Sequence, residues 1–274
     1  MEDIDLDAYF ARIGYAGPRA ATLEVLQALE LAQPAAIPFE SLDPFLGRPV
    51  RLDSVSLDAK LVRGGRGGYC FEQNGVFLRV LRALGFEVTP LSARVVWMEP
   101  EDAPLPPLSH MLLRVDAPEG PHLCDVGFGG QSPTAALRFE PGLEQSTPHG
   151  LYRLIERDGG YELQMRLADR WGALYRFNLE PRVPADYEVA NWFTSTHPDS
   201  RFTNGLIVSL APEGRRMNLL NTGLTTYFND GRVEARTLGS AGELHAALTG
   251  DFGLRVSPEE AERAFAKIGS RAPA

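Results

Sequence analysis

The chain has 274 residues, 44% of them hydrophobic, with a formal net charge of −9 and two cysteines. That length supports one large cored domain or two to three small ones. The charge argues against general binding to nucleic acid or an anionic membrane, and two cysteines do not make a disulfide scaffold. An anionic ligand would need a local basic patch, and positive charge is nearly all arginine, since Lys60 and Lys267 are the lysines.

The N-terminal stretch Met1-Glu-Asp-Ile-Asp-Leu-Asp7 is acidic where a signal peptide is basic, and no apolar run approaches ~20 residues. The expected compartment is therefore the reducing cytoplasm. Residues 1–85 read as mostly helical, with candidate helices at Asp5–Ile13, Ala20–Leu31, Leu57–Arg63 and Cys70–Leu84. In the last of these, Phe71, Phe77, Val80, Leu81 and Leu84 recur at three- and four-residue steps, and Gly85 follows as a stop.

From Phe86 the pattern turns to strands: Val88–Met98, His110–Val115, Leu123–Val126, Tyr152–Arg157, Tyr161–Leu167 and Leu174–Leu179. Asp158-Gly-Gly160 signals a hairpin between two of them. A helix over Pro184–Phe193 opens with proline at its first position. The remainder mixes strands at Gly205–Leu210, Arg216–Leu220, Thr225–Phe228 and Arg232–Thr237 with two helices. Of these, one starts at the capping box Ser257-Pro-Glu-Glu260. No repeat, low-complexity tract or long linker interrupts the chain.

Chemistry concentrates in three places. The loop Arg63-Gly-Gly-Arg-Gly-Gly-Tyr-Cys70 delivers a thiol to a helix start. Unsatisfied N–H groups and the positive end of the helix dipole favour a thiolate there. Ser109-His110-Met-Leu-Leu-Arg-Val-Asp116 and His122-Leu-Cys-Asp125-Val-Gly-Phe-Gly-Gly130 read as the two arms of a hairpin around Ala117-Pro-Glu-Gly-Pro121. A thiolate needs a base, and the base needs a third group to fix its tautomer. If Asp116 faces Pro121, His110 and Asp125 become diagonal neighbours on one face. If Asp116 faces His122, they point to opposite faces and the arrangement fails. Sequence alone leaves both registers open.

Plainer readings fit each residue singly: a buried structural cysteine, a surface histidine, an aspartate that forms a turn. Cys124, in mid-strand, reads as a small buried hydrophobe. Zinc is a poor competitor, because there is no Cys-x-x-Cys or His-Glu-x-x-His and the histidines are scattered. No Gly-Lys-Ser/Thr follows the glycine runs, and Gly127-Phe-Gly-Gly130 lacks dinucleotide-binding spacing.

Taken together, Arg66-Gly-Gly-Tyr-Cys70-Phe-Glu-Gln-Asn74, Ser109-His110, Asp125-Val-Gly-Phe-Gly-Gly130, Ile37-Pro-Phe-Glu-Ser-Leu42 and Ser195-Thr-His-Pro-Asp-Ser-Arg-Phe202 resemble the bacterial arylamine N-acetyltransferases. The resemblance implies an α+β fold with a helical bundle (1–85), an antiparallel β-barrel (86–183) and an α/β lid (184–274), around a cysteine-protease-like Cys-His-Asp site. It implies Cys70 as acetyl-accepting nucleophile, His110 as its base and Asp125 as the orienting acid. Phe39, Val95, Phe128 and Phe202 match positions near the acceptor pocket, and Gly129 and Gly130 match coenzyme contacts. Glu40 and Arg66 match a pair that braces the active-site loop.

The implied partners are acetyl-CoA as acetyl donor, without a metal, and a small aromatic amine or hydrazine as acceptor. No nucleic acid or membrane partner is implied, and a homodimer is compatible with it. The implied reaction is ping-pong N-acetylation through an acetyl-cysteine. A transglutaminase-like or other cysteine hydrolase would use the same residue order, and a non-catalytic binding module would leave Cys70 unreactive.

Overall fold

Side-chain caps set the helix ends in the computed structural model, which describes residues 4–270. Of the acidic N-terminal segment, residues 1–3 lie outside the described residues. Asp5 accepts from the Ala8 N–H at 3.0 Å and starts α1 (Leu6–Ile13), which Gly14 closes at φ +69°. α2 (Leu23–Ala36) begins later than expected, because the Thr22 hydroxyl is the cap, and it runs on through Pro34. Two elements too short to show periodicity follow, β1 (Phe39–Glu40) and α3 (Leu42–Phe45). The expected Leu57–Arg63 helix is two pieces: α4 (Ser54–Leu57), capped by Asp53, widens into a π-helical turn over Asp58–Arg63. α5 (Cys70–Ala83) carries the candidate nucleophile in its first turn.

Eight strands form the antiparallel sheet that follows: β2 (Glu87–Val95), β3 (Leu108–Ala117), β4 (Gly120–Cys124), β5 (Leu137–Arg138), β6 (Glu144–Thr147), β7 (Gly150–Arg157), β8 (Gly160–Leu167) and β9 (Arg170–Phe177). Their order is β5-β4-β3-β2-β9-β8-β7-β6. The sheet curls until its edges nearly meet, and the Gln145 amide bridges them by bonding the Arg138 N–H at 2.7 Å and carbonyl at 3.0 Å.

Strand alternation sorts the side chains. Leu91, Ala93, Leu112, Leu123, Leu154, Leu163 and Leu174 fill the barrel. Met111, Leu113, Val115 and Cys124 face the helices. β4 stops before the expected Val126 because the Asp125 N–H leaves the ladder for the Glu30 carboxyl. The Asp158-Gly159 turn closes β7 on β8 with both residues at positive φ, +50° and +75°.

α6 (Pro184–Thr196) crosses from the barrel to α7 (Arg201–Asn204). Then β10 (Ile207–Leu210), β11 (Arg215–Leu220), β12 (Gly223–Phe228) and β13 (Val233–Thr237) form an antiparallel sheet whose edge strand is β1, so it begins in the N-terminal region. α8 (Ala241–Ala246) and α9 (Pro258–Gly269), the latter with its Ser257–Glu260 capping box, pack there. Leu42 and Phe45 of α3 share that core with Leu219, Leu248 and Phe252. The fold is thus α+β, helices around a nearly closed barrel with a second sheet against them. No helix among the described residues is long and apolar enough to cross a membrane.

Candidate active site

The hairpin takes the register in which Asp116 pairs with Pro121, the first of the two open to the sequence. His110 and Asp125 therefore meet: His110 Nε2 lies 2.7 Å from Asp125 Oδ2. Nδ1 is left as the free ring nitrogen, and Cys70 acts on the imidazole strongly enough to help raise it. Cys70 Sγ also sits 3.6 Å from the Ser109 carbonyl. Cys70, His110 and Asp125 are 3%, 2% and 0% exposed, so their mutual interactions are weakly screened by water.

Burial opposes the charged form of His110, but the Asp125 carboxylate and then Cys70 outweigh it and raise the imidazole to about 10. Asp125 is itself held from several sides. Its Oδ1 accepts from Asn74 Nδ2 and from the Gly127 N–H, both at 3.0 Å. Asn74 Oδ1 takes the Val126 N–H at 3.2 Å, so one amide holds both the Asp125 carboxylate and the backbone that follows it. Gly127 has a steric reason to be glycine: a Cβ there would lie 2.9 Å from Cys70 Cα and 2.7 Å from Asn74 Nδ2. Asn74 is a site residue that the sequence reading does not single out. Its spacing is the available signal, since i, i+4 from Cys70 puts it on the same helix face.

A buried charge network anchors the loop before Cys70. Arg66 donates to Glu40 Oε1 through Nη2 (2.6 Å) and Nε (3.0 Å), and Lys60 Nζ reaches Glu72 Oε1 (2.6 Å) and Asp43 Oδ2 (2.7 Å). Glu72 Oε2 accepts the Tyr69 N–H at 3.0 Å, which fixes the start of α5. Burial pushes the Glu72 carboxyl up to about 7 although Lys60 pulls it down. Gly67 runs so close to strand β1 that a Cβ would lie 1.9 Å from the Pro38 carbonyl oxygen. Arg66→Ala is expected to cost about 3–5 kcal/mol in denaturant unfolding, because it leaves the buried Glu40 carboxyl without its cation. Glu40→Ala is expected to cost less, because Arg66 keeps Asp43 at 3.4 Å. Wild-type unfolding in both variants would end the bracing role.

Aromatic rings surround the cluster. Phe128 stands edge-on to His110 at 5.2 Å, and Tyr175 lies over the same imidazole at 5.0 Å. Val95 pairs with Tyr175 across β2 and β9. Phe39 and Phe202 meet at 5.9 Å, and Phe202 meets Tyr69 at 5.5 Å. Gly129 lies under the Phe39 ring, and Gly130 lies under Asn218 of β11, so the second sheet covers the glycine turn. Of the candidate pocket residues, Phe128 thus touches the His110 ring and Phe202 packs on Tyr69 at the start of α5. Among the described residues no group of three or more His, Cys, Asp or Glu side chains could hold a metal ion.

Residues 22–261 match the N-acetyltransferase family model. The arylamine N-acetyltransferase of Mycobacterium tuberculosis H37Rv is 45% identical over 257 residues, 93% of this chain and 90% of its own. That of Escherichia coli K12 is 42% identical over 261 residues, 95% and 92% of the two chains. The solved structure of Mycobacterium marinum arylamine N-acetyltransferase in complex with CoA gives a TM-score of 0.93 at 41% identity, covering 96% of this chain and 99% of that one. With sequence and fold matching over nearly the whole length, this chain belongs to the arylamine N-acetyltransferase family.

Proposed function

We propose that the protein transfers acetyl groups from acetyl-CoA to arylamines and hydrazines through an acetyl-Cys70 intermediate. The observation that carries this is Cys70 in the first turn of α5, beside a buried imidazole held by Asp125. In the first half-reaction the Cys70 thiolate attacks the thioester carbonyl carbon, and the carbon–sulfur bond to coenzyme A breaks. The departing thiolate takes a proton from the His110 imidazolium. In the second, the amine nitrogen attacks acetyl-Cys70 and gives its proton to neutral His110. The amide leaves, and the thiolate–imidazolium pair returns.

Asp125 is the orienting acid in this scheme, since its carboxylate fixes which nitrogen of His110 faces the sulfur. Phe39, Val95, Phe128 and Phe202 supply an apolar slot for a flat aromatic acceptor, which is neutral and nucleophilic at pH 7. Gly129 and Gly130, in the turn covered by Phe39 and Asn218, are the backbone positions assigned to the donor coenzyme. Water competes for the thioester, so a site as buried as this one protects the intermediate. The cytoplasm, where thiols stay reduced, suits both the two free cysteines and coenzyme A.

Acetyl-CoA alone tests the reading. The purified protein is expected to gain the mass of one acetyl group on the Cys70 peptide, stoichiometrically, and to lose it when an arylamine is added. Release of acetate without a lasting adduct would instead favour a cysteine hydrolase.

A further inference from the structure

Glu30, which none of these steps uses, lies directly behind Asp125. α2 turns Leu26, Leu29, Glu30 and Gln33 into the core, and Glu30 is fully buried. Its Oε1 accepts the Asp125 backbone N–H at 2.6 Å. Its Oε2 has no hydrogen-bond partner among the described residues. The titratable groups that interact with this carboxyl are Tyr9 on α1, Cys124 and Asp125 at the end of β4, and Tyr175 on β9. None of them is a cation.

An ionised Glu30 would be a second buried anion against Asp125 with no counter-charge, an arrangement proteins avoid by keeping one carboxyl protonated. Burial accordingly raises Glu30 to about 8, although the Asp125 N–H favours the anion. At neutral pH the group is a carboxylic acid. Its carboxyl holds the one residue at which β4 leaves its ladder and enters the turn.

We propose that Glu30 is a positioning residue of the acyl-transfer site. Its neutral carboxyl holds the Asp125 backbone where the Asp125 carboxylate meets His110. The proposal rests on Asp125 being the acid that orients His110.

Single-turnover acetylation of Cys70 by acetyl-CoA, beside steady-state kcat and KM, tests it. Glu30→Ala leaves the Asp125 N–H unpaired, and its kcat is expected to drop about tenfold with little change in KM for acetyl-CoA. Glu30→Gln keeps an oxygen for that N–H and recovers most of the loss. A folded Glu30→Ala enzyme with wild-type rates overturns the proposal, and so does a folded Glu30→Gln enzyme as slow as Glu30→Ala. If Glu30→Ala does not fold, Glu30→Leu takes its place, filling the space but giving the N–H no oxygen. Asp125→Asn in the same assay separates the layers. A normal acetylation rate there removes the parent reading, whereas a slow Asp125→Asn beside a wild-type-rate Glu30→Ala removes only the role of Glu30.

Discussion

Cys70→Ala is expected to lower acetyl transfer to background, a loss on the order of 10⁶-fold if it matches removal of the nucleophile from a serine-protease triad. Both half-reactions pass through a bond to this sulfur, and a methyl group in its place would offer nothing to acetylate. The fold should survive. α5 is started by the Glu72 carboxylate on the Tyr69 N–H, not by the thiol, and alanine is the strongest helix former. The side chain lost is small, and its neighbour His110 keeps its pairing with Ala93. Folding by circular dichroism and acyl transfer by coenzyme A release should therefore separate cleanly. Turnover retained in a folded Cys70→Ala enzyme would move the nucleophile elsewhere.

Much of this is legible from residues, because strong local signals happen to sit at the site. The helix start at Cys70, the hairpin turns at Asp158-Gly159 and the cap at Ser257 each depend on chemistry within four residues of the chain. The choice between hairpin registers is not of that kind. Sequence can state what each register would do to His110 and Asp125, but the pairing of Asp116 with Pro121 is fixed by the packing of both faces of β3.

What stays hidden is long-range. Asn74 bonds Asp125 across 51 residues of sequence, Glu30 reaches the Asp125 N–H across 95, and β1 joins a sheet built from residues beyond 206. In the sequence Lys60 reads only as part of a helix. The π-helical turn instead carries it to Glu72 and Asp43, where it supports the loop that presents the thiol. Buried polar residues on an otherwise apolar helix face are the signal for such contacts: Glu30 and Gln33 both interrupt the inner stripe of α2.

Asp125→Asn is expected to keep the shape of the site and lose most of its rate, by roughly 10⁴-fold if it follows the equivalent change in a serine-protease triad. The contacts dictate how the amide would sit. Two donors, Asn74 Nδ2 and the Gly127 N–H, point at Oδ1, so the amide oxygen takes that place and the NH₂ turns to His110 Nε2. An NH₂ group needs a lone pair there, which forces the proton onto Nδ1 and removes the charge partner that raises His110 to about 10. The imidazolium beside Cys70 is lost, and with it the thiolate at low pH. Iodoacetamide alkylation of Cys70 at pH 6 should slow in parallel with acetyl transfer. Stability carries the same signature. Raised from 6.5 to about 10, His110 stabilises the wild-type fold fully below pH 6.5, and this contribution is lost as pH rises through about 10. In the variant that slope should flatten. If Asp125 served only to cap the Gly127-Phe-Gly-Gly130 turn, the variant would melt earlier yet alkylate at the wild-type rate. An unchanged alkylation profile from pH 6 to 9 in folded Asp125→Asn would remove the aspartate from the mechanism and leave Cys70 and His110 to act as a pair.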